Sequence, residues 1–306
     1  MEKNYQTRLP VGVLVSLPLL SISLIATPAN AVTFFSTGTA TNAMASASRP
    51  DSSGKFEIES ADDFVTTTQM SVTSATFTGL LSGGATTADV GAVRVEIYRV
   101  FPNDSDTTRT SGPPTFSTTL VPTRVNSPSD VELGDRSTIA GNLSYTTTLL
   151  SPSFTALNSI QPGGIHAVPG QTTGGDGPVT GLEVQFNVAF ADPLTLAAGH
   201  YFFVPQVEVA DPVGNFFWLS AARPNLSFPS GFTDLQSWTR DGVIDPDWLR
   251  IGTDIVGGTT PPTFNAAFSL DGVETPLPAA LPMFMGGAGL IALLARRRKQ
   301  KTLESK

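Results

Sequence analysis

Apolar residues in this chain recur at every second position. Val93, Val95 and Ile97 alternate with Arg94, Glu96 and Tyr98, the pattern of a strand with one face buried and the other turned toward polar surroundings. The alternation is cleanest at 182–190, where Leu182, Val184, Phe186, Val188 and Phe190 are interleaved with Glu183, Gln185 and Asn187. Tyr201, Phe203, Val207 and Val209 continue it, as do Phe264, Ala266, Phe268 and Leu270. Further strands are expected at 72–81, 142–150 and 215–220. Turn formers cluster between them, as in Ser111-Gly112-Pro113-Pro114, Gln161-Pro162-Gly163-Gly164 and Thr173-Gly174-Gly175-Asp176. No part of residues 32–274 sustains a 3.6-residue period beyond two turns. The expected fold class is all-β, an antiparallel β-sandwich of the jelly-roll or lectin-like kind over residues 55–274.

Two stretches depart from this pattern. Residues 36–54 are small, polar and poor in bulky apolar groups, so 32–54 reads as a flexible leader unable to offset the entropy of ordering. Residues 102–135 form a long polar, proline-rich loop, expected to cap one end of the sandwich or to hold an irregular edge strand near 115–121.

The pattern changes again at the two ends. Lys3 and Arg8 precede an uncharged apolar run at 11–25, and Ala29-Asn30-Ala31 places small residues at A-x-A positions. This is the layout of a signal peptide, residues 1–31, with signal peptidase cutting after Ala31. At the other end, Thr275-Pro276-Leu277-Pro278-Ala279 leads into an uncharged run, 279–295, interrupted by Pro282 and by Gly286, Gly287 and Gly289. That length is the lower limit for a transmembrane helix. Arg296, Arg297 and Arg298 follow, and such a cluster resists translocation and stays on the cytoplasmic side.

Proline motif, weak span and arginine cluster, in this order over residues 275–301, resemble the C-terminal sorting signal of the PEP-CTERM class in its VPLPA variant. Thr275 stands where that family usually has valine. The resemblance implies recognition of Pro276, Leu277, Pro278 and Ala279 by an exosortase, a membrane thiol protease-transpeptidase. It further implies transfer of the ectodomain to a bacterial cell surface or exopolysaccharide matrix after passage through the cell membrane. An uncleaved single-span anchor is the alternative.

Charge and cysteine content narrow what the ectodomain does. All but Glu2 and Glu304 of the 26 acidic residues fall within 32–278, whereas Lys3, Arg8, Arg296, Arg297, Arg298, Lys299, Lys301 and Lys306 of the 18 basic residues do not. That leaves 24 acids against 10 bases, a formal net charge of −14, which repels phosphate backbones and argues against nucleic-acid binding. The chain has no cysteine, so disulfides, thiolate metal sites and a cysteine nucleophile are excluded. Its two histidines, His166 and His200, lie far apart and outside any H-E-x-x-H arrangement, and there is no G-x-S-x-G elbow. Glu96, Glu183 and Glu208 on polar strand faces would need to converge for glycoside hydrolysis, and solvated strand faces account for them more simply.

The segment 234–254 holds Trp238 and Trp248 among Asp234, Asp241, Asp245, Asp247 and Asp254. The two indoles read either as a stacking surface for sugar rings or as plugs of the core, with Arg240 and Arg250 paired to the acids; the second is preferred. Asp104 with Asp106, or Asp241 with Asp245 and Asp247, offer hard oxygen ligands for Ca²⁺, but solvated loops explain them as well, and no cofactor is expected. The reading that results is a non-catalytic, sorted surface or matrix protein. The alternatives are a lectin-like module that grips the exopolysaccharide and, behind it, a secreted hydrolase.

Overall fold

A computed structural model of the chain describes residues 31–52, 54–109, 120–161, 172–210, 214–225 and 228–275. Of the expected signal peptide 1–31, residues 1–30 with Ala29 lie outside the described residues, as do the expected sorting motif Pro276 to Ala279, the expected span 279–295 and Arg296, Arg297 and Arg298. Among the described residues, no helix is long and apolar enough to cross a membrane.

The described chain is all-β. In order, its strands are β1 (Val32–Ser36), β2 (Ala40–Ala47), β3 (Ile58–Thr66), β4 (Met70–Ser82), β5 (Val90–Arg99), β6 (Gly134–Ser137), β7 (Leu143–Ala156) and β8 (Ser159–Ile160). They continue with β9 (Val179–Leu196), β10 (Gly199–Val209), β11 (Phe216–Ala221), β12 (Trp238–Asp241), β13 (Leu249–Arg250), β14 (Asn265–Ala266) and β15 (Phe268–Glu274). One sheet has nine strands. β4 lies at its centre, with β9 and then β7 on one side, and β15–β1 and β11–β2–β8 sharing the other. The second sheet has six strands in the order β13-β12-β3-β10-β5-β6. All pairings but β2 with β8 are antiparallel.

The alternation read from the sequence is what joins the sheets. Val93, Val95 and Ile97 of β5 and Val184, Phe186 and Val188 of β9 enter one core. Phe77 of β4 stacks on Phe186, with ring centroids 5.0 Å apart. Across the interior, Phe203 of β10 meets Phe268 of β15 at 5.0 Å and Trp218 of β11 at 6.0 Å. Phe186 is fully buried and Gln185 and Asn187 are turned away from the core, as a period of two requires.

The expectation of a flexible leader at 32–54 is overturned. β1 pairs with β15, and β2 pairs with β11. Met44, Ala45 and Ala47 are buried. Small side chains here let the backbone lie close under Phe217 and Leu219 in a second apolar cluster, so the stretch is ordered by its partners despite lacking bulk of its own.

Candidate functional site

The outer face of the six-stranded sheet carries the most unusual chemistry of the body. Residues alternating with the inward valines of β5 point outward, and they are Arg94, Glu96 and Tyr98. Register places Arg94 opposite Gln206, Glu96 opposite Val204, and, two strands away, Arg240 opposite Glu59. Ordinarily such a face would be wet. Here the chain at 120–131 and Trp248 lie over it: the Trp248 Nε1–H donates to the Ser129 carbonyl at 3.1 Å and the Arg240 guanidinium to the Asp130 carbonyl at 3.3 Å. This part of the long polar loop covers a sheet face and does not cap an end; residues 110–119, with most of the strand expected at 115–121, lie outside the described residues.

Under that cover two carboxyls meet. Glu59 and Glu96 are 5 % and 2 % exposed. The Tyr98 hydroxyl lies 2.8 Å from Glu59 Oε1 and 3.0 Å from Glu96 Oε2; its one proton serves one of them at a time. Arg240 donates from Nε and Nη2 to the two oxygens of Glu59, a fork that matches a carboxylate. Its guanidinium also stacks 4.3 Å from the Trp248 ring. Arg94 reaches Glu96 at 2.6 Å from the half-exposed rim.

The two acids therefore take different charge states. Burial, then the negative charge of Glu59 and the hydrogen bond to it, push the Glu96 carboxyl up to about 9, against a weaker pull from Arg94. Burial also acts to raise Glu59, but the charge and hydrogen bonds of Arg240 outweigh it and hold Glu59 below the usual carboxylate range. Glu96 is thus neutral and Glu59 ionised at neutral pH. Arg240 is held charged, burial notwithstanding, by the same Glu59.

A second acidic pair lies in the middle of β3. Asp62 accepts from Ser237 Oγ at 2.9 Å and the Ala266 N–H at 2.8 Å, and burial, with Asp63 beside it, drives its carboxyl well above the ordinary range. Asp63 faces His200, with Oδ2 2.5 Å from Nε2, and accepts the Leu235 N–H. Burial raises Asp63, and the bond to His200 opposes this.

Several sequence expectations change here. Glu96 does not converge with Glu183 and Glu208: Glu183 sits on β9 of the other sheet, and Glu208 accepts the Ala92 N–H at 3.0 Å. The acid beside Glu96 is Glu59, and both touch one hydroxyl, whereas sugar cleavage needs carboxyls about 5–9.5 Å apart with the glycosidic bond between them. Trp238 and Trp248, offered as a sugar-stacking surface, are both 1 % exposed. They pack with Tyr98, Phe202 and Leu235, and Arg240 and Arg250 pair with Glu59 and Asp254, so neither ring face is open to a glycan.

The aspartates considered for Ca²⁺ are engaged by protein groups. Asp104 faces Arg99, Asp106 accepts from Thr108, Asp241 from the Val243 N–H, Asp245 faces Arg240, and Asp247 faces Arg109 and Arg124. Among the described residues, no group of three or more His, Asp or Glu could hold a metal ion. His166 lies outside the described residues. His200 is bound to Asp63, and no serine hydroxyl bonds it among the described residues.

Glu59, Asp62 and Asp63 were not singled out from the sequence. The one signal was an acid doublet, Asp62-Asp63, set directly between Ala61 and Phe64-Val65; acids inside an apolar stretch mark interior polar bonds. No family model matches the chain, and neither a curated protein nor a solved structure matches it.

Proposed function

We propose that this protein is an exported, exosortase-sorted component of a bacterial cell surface or exopolysaccharide matrix, whose body is a non-catalytic β-sandwich of jelly-roll or lectin-like kind. The address rests on the resemblance of residues 275–301 to a sorting signal. Support for a structural body comes above all from one observation: the acids and tryptophans most suggestive of a site are buried, with Glu59 held by Arg240 and Trp248 donating to the Ser129 carbonyl of the covering chain at 120–131. In cells with the sorting enzyme, mass spectrometry of surface material should find chains lacking the tail, and Pro278→Ala should remain full-length in the membrane. Recovery of only full-length chains from the wild type would leave a plain anchor.

A lectin-like activity is the second reading, now favoured at a different place. A cleft of about 310 Å³ on the outer face of the nine-stranded sheet is lined by Thr76, Thr78, Leu150, Glu183, Gln185 and Ser269. Hydroxyl, amide and carboxyl groups beside an exposed leucine suit a neutral sugar. Binding of the full chain on a glycan array, lost in Gln185→Ala, would select this reading; an array without signal would leave the structural one.

A further inference from the structure

We propose that β7 is a seam at which two copies of this chain join, strand to strand, about a two-fold axis. The proposal stands on how the sheets end. Edge strands expose unpaired N–H and C=O groups, and proteins blunt them by shortness, charge, bulges or proline. β1 has five residues, β8 and β13 two each, and β6 four with Asp135 and Arg136 among them. β7 is fourteen residues long, Leu-Ser-Tyr-Thr-Thr-Thr-Leu-Leu-Ser-Pro-Ser-Phe-Thr-Ala, without one charged side chain. Among the described residues it pairs only with β9.

Register identifies which groups are free. The Ala191 N–H donates to the Asn142 carbonyl at 3.0 Å, and the next partners are Leu143 with Phe190 and Ser144 with Ala189. Bonded and non-bonded pairs alternate along an antiparallel ladder. Ser144, Thr146 and Thr148 therefore bond β9, and Leu143, Tyr145, Thr147 and Leu149 direct their N–H and C=O outward. The ladder is regular from Leu143 to Leu149; the bulges and Pro152 that blunt the strand come only after it. Leu149 and Leu150, one toward each face, are 53 % and 49 % exposed.

Charge permits a second copy at this edge, and symmetry selects it. Two bodies of net charge −14 repel wherever acids face acids, and the β7 edge is a stretch where neither copy brings charge. An antiparallel pair about a two-fold axis is self-complementary, since each copy offers the same outward donors and acceptors. Such a pairing satisfies the four outward residues and covers Leu149 and Leu150 from both copies.

Sedimentation of the full chain in mild detergent tests the seam. The wild type should be a dimer. Thr147→Pro removes an outward N–H and no bond to β9, and the symmetry removes it twice; it should weaken dimerisation by about tenfold or more, with a thermal midpoint equal to the wild type's at concentrations low enough for both to be monomers. Val243→Lys, on an exposed turn after β12, should stay dimeric. Because the chain has no cysteine, single cysteines at 143–149 should yield an intermolecular disulfide at one or more positions, and Val243→Cys should not. The proposal is overturned by a monomeric wild type, which would leave the edge to an extended segment of another protein. A dimer that survives Thr147→Pro, as one formed through 279–295 would, or a cysteine series without cross-links, overturns it too.

Discussion

Glu59 and Glu96 share a side chain, a sheet face and a hydroxyl partner, and differ in charge because only one of them faces Arg240 in a fork. Substitution by the neutral isostere should separate them. Glu96→Gln replaces a neutral acid by a neutral amide; it should cost below about 1 kcal/mol below pH 4.5 and less than that at neutral pH, where the amide needs no proton to fold. Glu59→Gln strands the buried Arg240 charge and should cost about 3–5 kcal/mol. Urea unfolding of the two variants reads the difference, and a reversed order would place the charge on Glu96. The same asymmetry has a pH signature. A carboxyl that ordinarily titrates near 4.5 and sits at about 9 when folded makes the folded chain hold a proton that the unfolded chain has released. Its contribution to stability is full below pH 4.5 and is lost as pH rises toward 9. Stability followed across that window should slope downward in the wild type and less steeply in Glu96→Gln.

At the level of strands, β9 and β3 show what a sequence window can and cannot see. β9 announces itself because its buried and exposed residues alternate, and Phe186→Ala should cost about 3–5 kcal/mol by emptying the space against Phe77, Tyr145 and Phe216. An unchanged urea midpoint would mean the cavity collapses without loss. β3 is central and buried at all nine positions, so it has no polar face to betray it. Its acids are held by side chains such as Arg240, Ser237 and His200, each more than a hundred residues away. Composition likewise hid β2, whose alanines look like a linker until Phe217 and Leu219 lie against them. Even glycine has a placement of this kind. On β4, where β11 crosses, a Cβ at Gly79 would meet Phe216 Cε2 at 2.3 Å and the Phe217 carbonyl at 2.5 Å. Gly79→Ala should therefore lower stability by about 1–3 kcal/mol, with the loss visible as faster hydrogen exchange along 216–221.

For the molecule as a whole, self-repulsion and long-range pairing set the terms. With a net charge of −14 on the body, raising ionic strength from about 0.01 M to about 0.15 M shortens the screening length from about 30 Å to about 8 Å, so the thermal midpoint should rise; a fall would mean that favourable ion pairs outweigh the repulsion. The overall β class and the inward residues of the main strands were legible because they depend on local alternation. The closed acid cluster was not, because it is assembled from β3, β5, β12 and residues 120–131, and the burial of Trp238 and Trp248 depends on that same assembly. The pairing of β1 with β15 carries one more consequence, for the order of events in time. Thr37 Oγ1 donates to the Ala266 carbonyl at 2.7 Å and accepts the Phe268 N–H, so the first of the described strands to leave a ribosome finds its partner only when the last of them has followed. Until then Phe35 and Phe77 lack Phe268 and its neighbours, and the nine-stranded sheet stays open along half of β4. Closure of such a fold falls after delivery of the chain, at the slow end of folding rates, and the waiting intermediate exposes the apolar strands that chaperones bind.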